Sequence, residues 1–86
     1  MLKVELNKNE YNYVCQAHFL NNKYKKLVFS AKKYYNTYLI TISEDQADAI
    51  RDLCGEQLQT VGFNEKYELT QEGKILESLV DKFFIG

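Results

Sequence analysis

The sequence predicts an α+β fold: a short N-terminal strand, a helix, a β-hairpin, and two C-terminal helices packed on the small antiparallel sheet. Three observations predict it. Leu27, Phe29 and Ala31 alternate with other residues, as do Tyr38, Ile40 and Ile42, and β-branched and aromatic residues surround both sets. Helix-start residues at Asn7, Ser43 and Thr70 each precede apolar residues at helical spacing. Finally, 86 residues with no Pro and four Gly suit one domain, residues 1–86, without linker or low-complexity segment.

Taken in order, Leu2 and Val4 alternate with Lys3 and Glu5, the pattern of a first strand at a sheet edge or paired with the later hairpin. Asn7 and Glu10 form a capping box, with Leu6 and Tyr11 placed as a hydrophobic staple. Tyr11, Val14, Cys15, His18 and Phe19 then mark one face of a helix ending near Asn21 or Asn22. Tyr11, Tyr13, Cys15, Ala17 and Phe19 also alternate, so a strand over 11–20 is the rival. Agreement of cap, staple and period favours the helix.

Residues 27–31 and 38–42 are expected to pair as the hairpin. The connection Lys32-Lys33-Tyr34-Tyr35-Asn36 lacks an Asn-Gly turn signal, which predicts a longer, mobile loop. Ser43 with Gln46 makes a second capping box, stapled by Ile42 and Ala47 and followed by Glu44 and Asp45 at the positive helix end. The helix runs over 44–61, burying Ile50, Leu53, Cys54, Leu58 and Val61. Gly62 is placed as its C′ residue, with Phe63 able to contact Leu58. Gly55, inside this helix, costs about 1 kcal/mol relative to Ala, which predicts close packing against it. Residues 64–69 connect to a last helix over 71–84, capped by Thr70 and buried through Ile75, Leu76, Leu79, Val80 and Phe83.

Composition argues against catalysis. Cys15 and Cys54 make no disulfide framework, and with one His there is no clustered zinc set, so no metal or cofactor is expected. Cys15 and His18 lie three apart, on one helix face if the segment is helical, but a dyad needs an orienting third group that the sequence does not supply. Core packing is the simpler reading. No phosphate loop, nucleophile elbow or dinucleotide fingerprint occurs. The first eight residues carry charges where a signal peptide needs its apolar core, and no run of about 18 apolar residues exists, so a cytoplasmic protein is expected.

Charge is unevenly spread, although the net value is −1. Residues 1–43 hold seven Lys and two Glu, whereas residues 44–86 hold ten carboxylates and four basic side chains. Such a split marks a partner-binding face or is neutralised when the halves pack together. Glu44, Asp48, Asp52 and Glu56 recur at i+4 along the helix over 44–61, each like-charge pair destabilising it by a few tenths of a kcal/mol. These four are the candidate partner-binding residues, suited to a cationic protein. Lys25, Lys26, Lys32, Lys33, Tyr34 and Tyr35 combine phosphate-seeking charge with rings on which bases stack, and form the alternative, a nucleic-acid face. The absence of Arg from that patch and the acidic second half argue against it.

The acidic helix beginning Ser43-Glu44-Asp45-Gln46 and the segment from Val61 through Gly62-Phe63-Asn64-Glu65-Lys66-Tyr67-Glu68-Leu69-Thr70-Gln71-Glu72-Gly73 to Lys74 carry a resemblance. The chain resembles small immunity proteins of bacterial polymorphic-toxin and contact-dependent inhibition systems, mainly over residues 43–86. That resemblance implies a stoichiometric, non-enzymatic inhibitor that binds a toxin domain in the cytoplasm, often a cationic nuclease. It transfers no contact residues.

Overall fold

A computed structural model of the chain describes residues 2–84. The architecture is α+β: β1 (Leu2–Asn7), α1 (Lys8–Gln16), α2 (Asn22–Phe29), β2 (Lys32–Tyr34), β3 (Thr37–Ile42), α3 (Glu44–Val61) and α4 (Gln71–Phe83). The antiparallel sheet has the order β1-β3-β2. Register pairs Leu2 with Ile42, Val4 with Ile40 and Leu6 with Tyr38. Because strand side chains alternate between faces, this register puts the apolar residues of both strands on one side. Val4, Leu6, Ile40 and Ile42 are buried there with Val14, Val28, Ala47, Ile50, Cys54, Leu76, Leu79 and Phe83 from the helices.

All three expected N-caps form. Asn7 Oδ1 accepts the Glu10 amide at 2.8 Å while Glu10 Oε1 accepts the Asn7 amide at 2.8 Å. Ser43 and Gln46 exchange the same two bonds at 3.1 and 2.8 Å. Thr70 Oγ1 accepts the Gly73 amide at 2.9 Å. Each bond satisfies an amide that the helix itself leaves without a partner.

Five local expectations are corrected. The first helix stops at Gln16, where Ala17 turns extended at φ −67° and ψ 130°. Ala17 and Leu20 are drawn into the core, and Asn21 starts a new helix by accepting the Tyr24 amide at 3.2 Å. Residues 27–29, expected in a strand, therefore belong to α2. Their alternation was the weaker pattern: Tyr24, Leu27, Val28 and Ala31 follow i, i+3, i+4, i+7, and it is Val28 that is buried while Phe29 is 57% exposed.

The hairpin consequently shifts, since the residues expected to form a long loop supply β2 and a two-residue turn. Tyr34 pairs with Thr37. Tyr35 takes φ 55°, a conformation usually left to Gly or Asn, and Thr37 Oγ1 donates to the Tyr34 carbonyl at 2.9 Å to close the turn.

The glycines exchange roles. Gly62 caps α3 in right-handed geometry, φ −79°, so no left-handed terminus is present. Its importance comes from contact: a Cβ on Gly73 would lie 2.9 Å from both the carbonyl carbon and Cα of Gly62. The same crossing is tied by the Thr70 amide donating to Gly62 O at 2.8 Å and Thr70 Oγ1 donating to Val61 O at 3.1 Å. Gly55, expected to be closely packed, has no described residue within 4 Å of where a Cβ would stand. Gly55→Ala is therefore expected to raise stability by about 1 kcal/mol through helix propensity, read as a higher urea midpoint with an unchanged m-value.

Candidate functional site

The acidic series lies on α3, which folds against α4. Successive i+4 residues wind by about 40° on a helix of 3.6 residues per turn, so Glu44 and Glu56 stand about a third of a turn apart. Glu44, Asp52 and Glu56 are exposed and Asp48 is half-buried. Arg51 lies within the series, its guanidinium 3.4 Å from Asp48 and 3.5 Å from Asp52. It also lies 5.3 Å from the Phe84 ring centroid, which holds this cation against the α4 end. Arg51 thus relieves the middle of the series. Among the described residues, no ion pair reaches Glu44 or Glu56.

Beside this face runs a shallow groove of about 380 Å³, lined by Arg51, Asp52, Gly55, Glu56 and Gln59 of α3 and Val80 of α4. The missing side chain at Gly55 opens its wall. Asp52 and Glu56 are brought to this groove, while Glu44 and Asp48 lie further along the helix and do not line it.

Packing does not neutralise the two halves of the chain. Among the described residues, no ion pair joins a Lys of residues 2–43 to a carboxylate of residues 44–84. The one pair that crosses has the opposite sense: Lys82 Nζ lies 2.5 Å from Glu10 Oε1.

The alternative nucleic-acid set is divided between two elements and a turn. Lys25 and Lys26 sit on α2, whereas Lys32, Lys33 and Tyr34 form β2 and Tyr35 occupies the turn. Neighbouring strand residues point to opposite faces, so Lys32 shares a row with Leu39 while Lys33 shares one with Tyr38. Lys33 Nζ stands 6.0 Å from the Tyr38 ring, and that ring stacks on Tyr11 at 3.8 Å. Tyr34 and Tyr35 are exposed, but the lysines nearest them do not share one face.

Cys15 and His18 do not share a helix face, because α1 has ended before His18, which is exposed. Both cysteines are free. Cys54 is buried, and that burial pushes its thiol up to about 12, which suppresses the nucleophilic thiolate. Among the described residues, no group of three or more His, Cys, Asp or Glu side chains is placed to hold a metal ion. No helix among them is long and apolar enough to cross a membrane.

Two polar clusters were not legible in the sequence. Glu10, 2% exposed, accepts from Lys82 and from Ser78 Oγ as well as from Asn7. Burial acts to raise its pKa, but the Lys82, Ser78 and Asn7 hydrogen bonds and the Lys82 charge together hold the carboxyl below its ordinary value. Tyr13 donates to Glu72 Oε2 at 2.6 Å, and burial followed by this bond holds the phenol above its ordinary pKa. Apart from the Asn7–Glu10 box, the partners lie 59 to 72 residues apart, a separation that carries no periodic signal. Comparison with known proteins returned no matching family model, curated protein or solved structure.

Proposed function

We propose that the protein is a non-enzymatic binding module that docks a cationic protein on the acidic side of α3, acting in the cytoplasm as an immunity protein that neutralises a toxin. The observation that carries this reading is the acidic face left uncompensated among the described residues: no Lys of the basic half pairs with it, and one Arg serves two of its four carboxylates. Like charges at i+4 destabilise a helix unless something offsets them, and a cationic surface offsets them in a complex. The Gly55 groove adds shape, with Asp52 and Glu56 at its side and Val80 as an apolar wall. Such a face favours rapid, salt-sensitive encounter, while apolar burial elsewhere in the contact supplies most of the affinity.

The test begins with pull-down from the native host and mass spectrometry to identify the partner. Glu44, Asp48, Asp52 and Glu56 are then changed together to Gln. The variant should fold, with slightly higher stability because the repulsion is gone. Its association rate should be lower than wild type at low salt and should depend more weakly on salt. Equal rates for the two proteins at every salt concentration would remove α3 as the docking face. If the captured ligand is instead RNA or DNA, and changing Lys25, Lys26, Lys32 and Lys33 flattens its salt dependence, the basic segment is the functional face.

A further inference from the structure

A second concave site lies apart from the acidic groove. It is a cleft of about 400 Å³ formed where the chain leaves α1, with Gln57 of α3 and Glu72 of α4 completing it. This volume is in the range of small-ligand pockets. Tyr13 and Phe19 contribute two rings, centroids 6.3 Å apart and tilted by 45°. Gln16 and Gln57 contribute carboxamides and His18 an imidazole; among the described residues Glu72 is the one carboxylate, and no Lys or Arg lines the cleft.

The chemistry of these walls selects a ligand. The Tyr13 hydroxyl occupies Glu72 Oε2, which orients the carboxylate and leaves it with acceptor capacity to spare. A planar cation suits this setting, because aromatic faces attract it electrostatically and a carboxylate accepts its N–H groups through charge-assisted bonds. Guanidinium fits better than ammonium, since it stacks on rings and is more weakly hydrated. An anion is less well suited, as it would meet the Glu72 carboxylate, with only the His18 imidazole and no Lys or Arg among the described lining residues to receive it.

We propose that this cleft is a binding site for a guanidinium group, supplied by an arginine side chain of the docked protein. The partner assignment rests on the function proposed above; the guanidinium site itself does not. Gln57 lies about 100° round α3 from Glu56, so the cleft flanks the acidic face and a partner docked there would reach it past the side of that helix.

The test uses the intact protein and no partner. N-acetyl-arginine amide is titrated while amide and side-chain NMR signals are followed, with N-acetyl-citrulline amide as the neutral isostere. Saturable shifts are expected at Tyr13, Phe19 and Gln57 with the arginine compound and none with citrulline. Glu72→Gln keeps an acceptor for Tyr13 but removes the charge, and should weaken binding about tenfold. Phe19→Leu removes one ring face and should weaken it about threefold. Should Glu72→Gln lose its native spectrum, Phe19→Leu carries the comparison alone. Equal responses to arginine and citrulline, shifts centred on Asp48, Asp52 and Glu56, or no saturation would each overturn the site. If the arginine compound saturates the cleft while the quadruple Gln variant binds its partner normally, the cleft stands and the α3 docking face falls.

Discussion

Glu10→Ala is expected to lower stability by about 3 kcal/mol at neutral pH, near the lower end of the cost of breaking a buried ion pair. Three groups lose their acceptor together: the Asn7 amide at the start of α1, Ser78 Oγ, and Lys82 Nζ on α4. The cost stays at the lower end because the Lys82 side chain is 36% exposed and can turn to water once its partner is gone. For a domain of this size the loss corresponds to a melting point lower by roughly 12–24 °C. Glu10→Gln keeps an acceptor without the charge and should fall between the two proteins. Urea denaturation at pH 7 measures all three, and an Ala variant within about 0.5 kcal/mol of wild type would show the cluster to be dispensable.

The same residue predicts a pH dependence. Its folded pKa lies below the unfolded value of 4.5. The contribution of Glu10 is therefore fully present above that value and is lost as pH falls through the lowered folded pKa. The stability difference between wild type and Glu10→Ala should accordingly be constant near neutrality and narrow in acid, below pH 4.5. A difference that widened in acid would contradict the lowered pKa.

Gly73→Ala is the second large effect, expected to cost about 2 kcal/mol even though Ala is the better helix former. Its Cβ would press on the Gly62 backbone, 2.9 Å from two of its atoms, where no side-chain rotation gives relief. The helices would have to separate at the crossing that the Thr70 bonds to Gly62 O and Val61 O hold closed. Thermal unfolding should show the loss, whereas Gly55→Ala, in the neighbouring helix but facing open space, should move the midpoint the other way. Opposite signs from the same substitution at two helical glycines would separate packing from propensity. A stabilised Gly73→Ala would mean that the crossing opens without penalty.

The fold class and both long C-terminal helices were legible because their signals are local. Capping boxes span four residues, and the α4 stripe of Ile75, Leu76, Leu79, Val80 and Phe83 repeats within one helix. The pairing of β1 with β3 was legible only as a possibility, since alternation places a face but does not choose a neighbour. The misreading of residues 27–31 had a related cause. Over five residues, alternation and helical spacing both fit Leu27, Val28, Phe29 and Ala31, and burial of Val28 under the neighbouring elements decided between them.

The acidic series was visible as spacing, but its lack of compensation was not, because that depends on where seven lysines come to rest in space. By itself the sequence determined the class of fold, the three N-caps, the two C-terminal helices and the segregation of charge, all properties of adjacent or periodic residues. Only the tertiary structure decided that Gly55 faces a groove and Gly73 a backbone, that Glu10 meets Lys82, and that Tyr13 and Glu72 share a cleft. Those contacts join residues on separate elements, and a hydrogen bond or a close approach leaves no periodic trace in the chain that makes it.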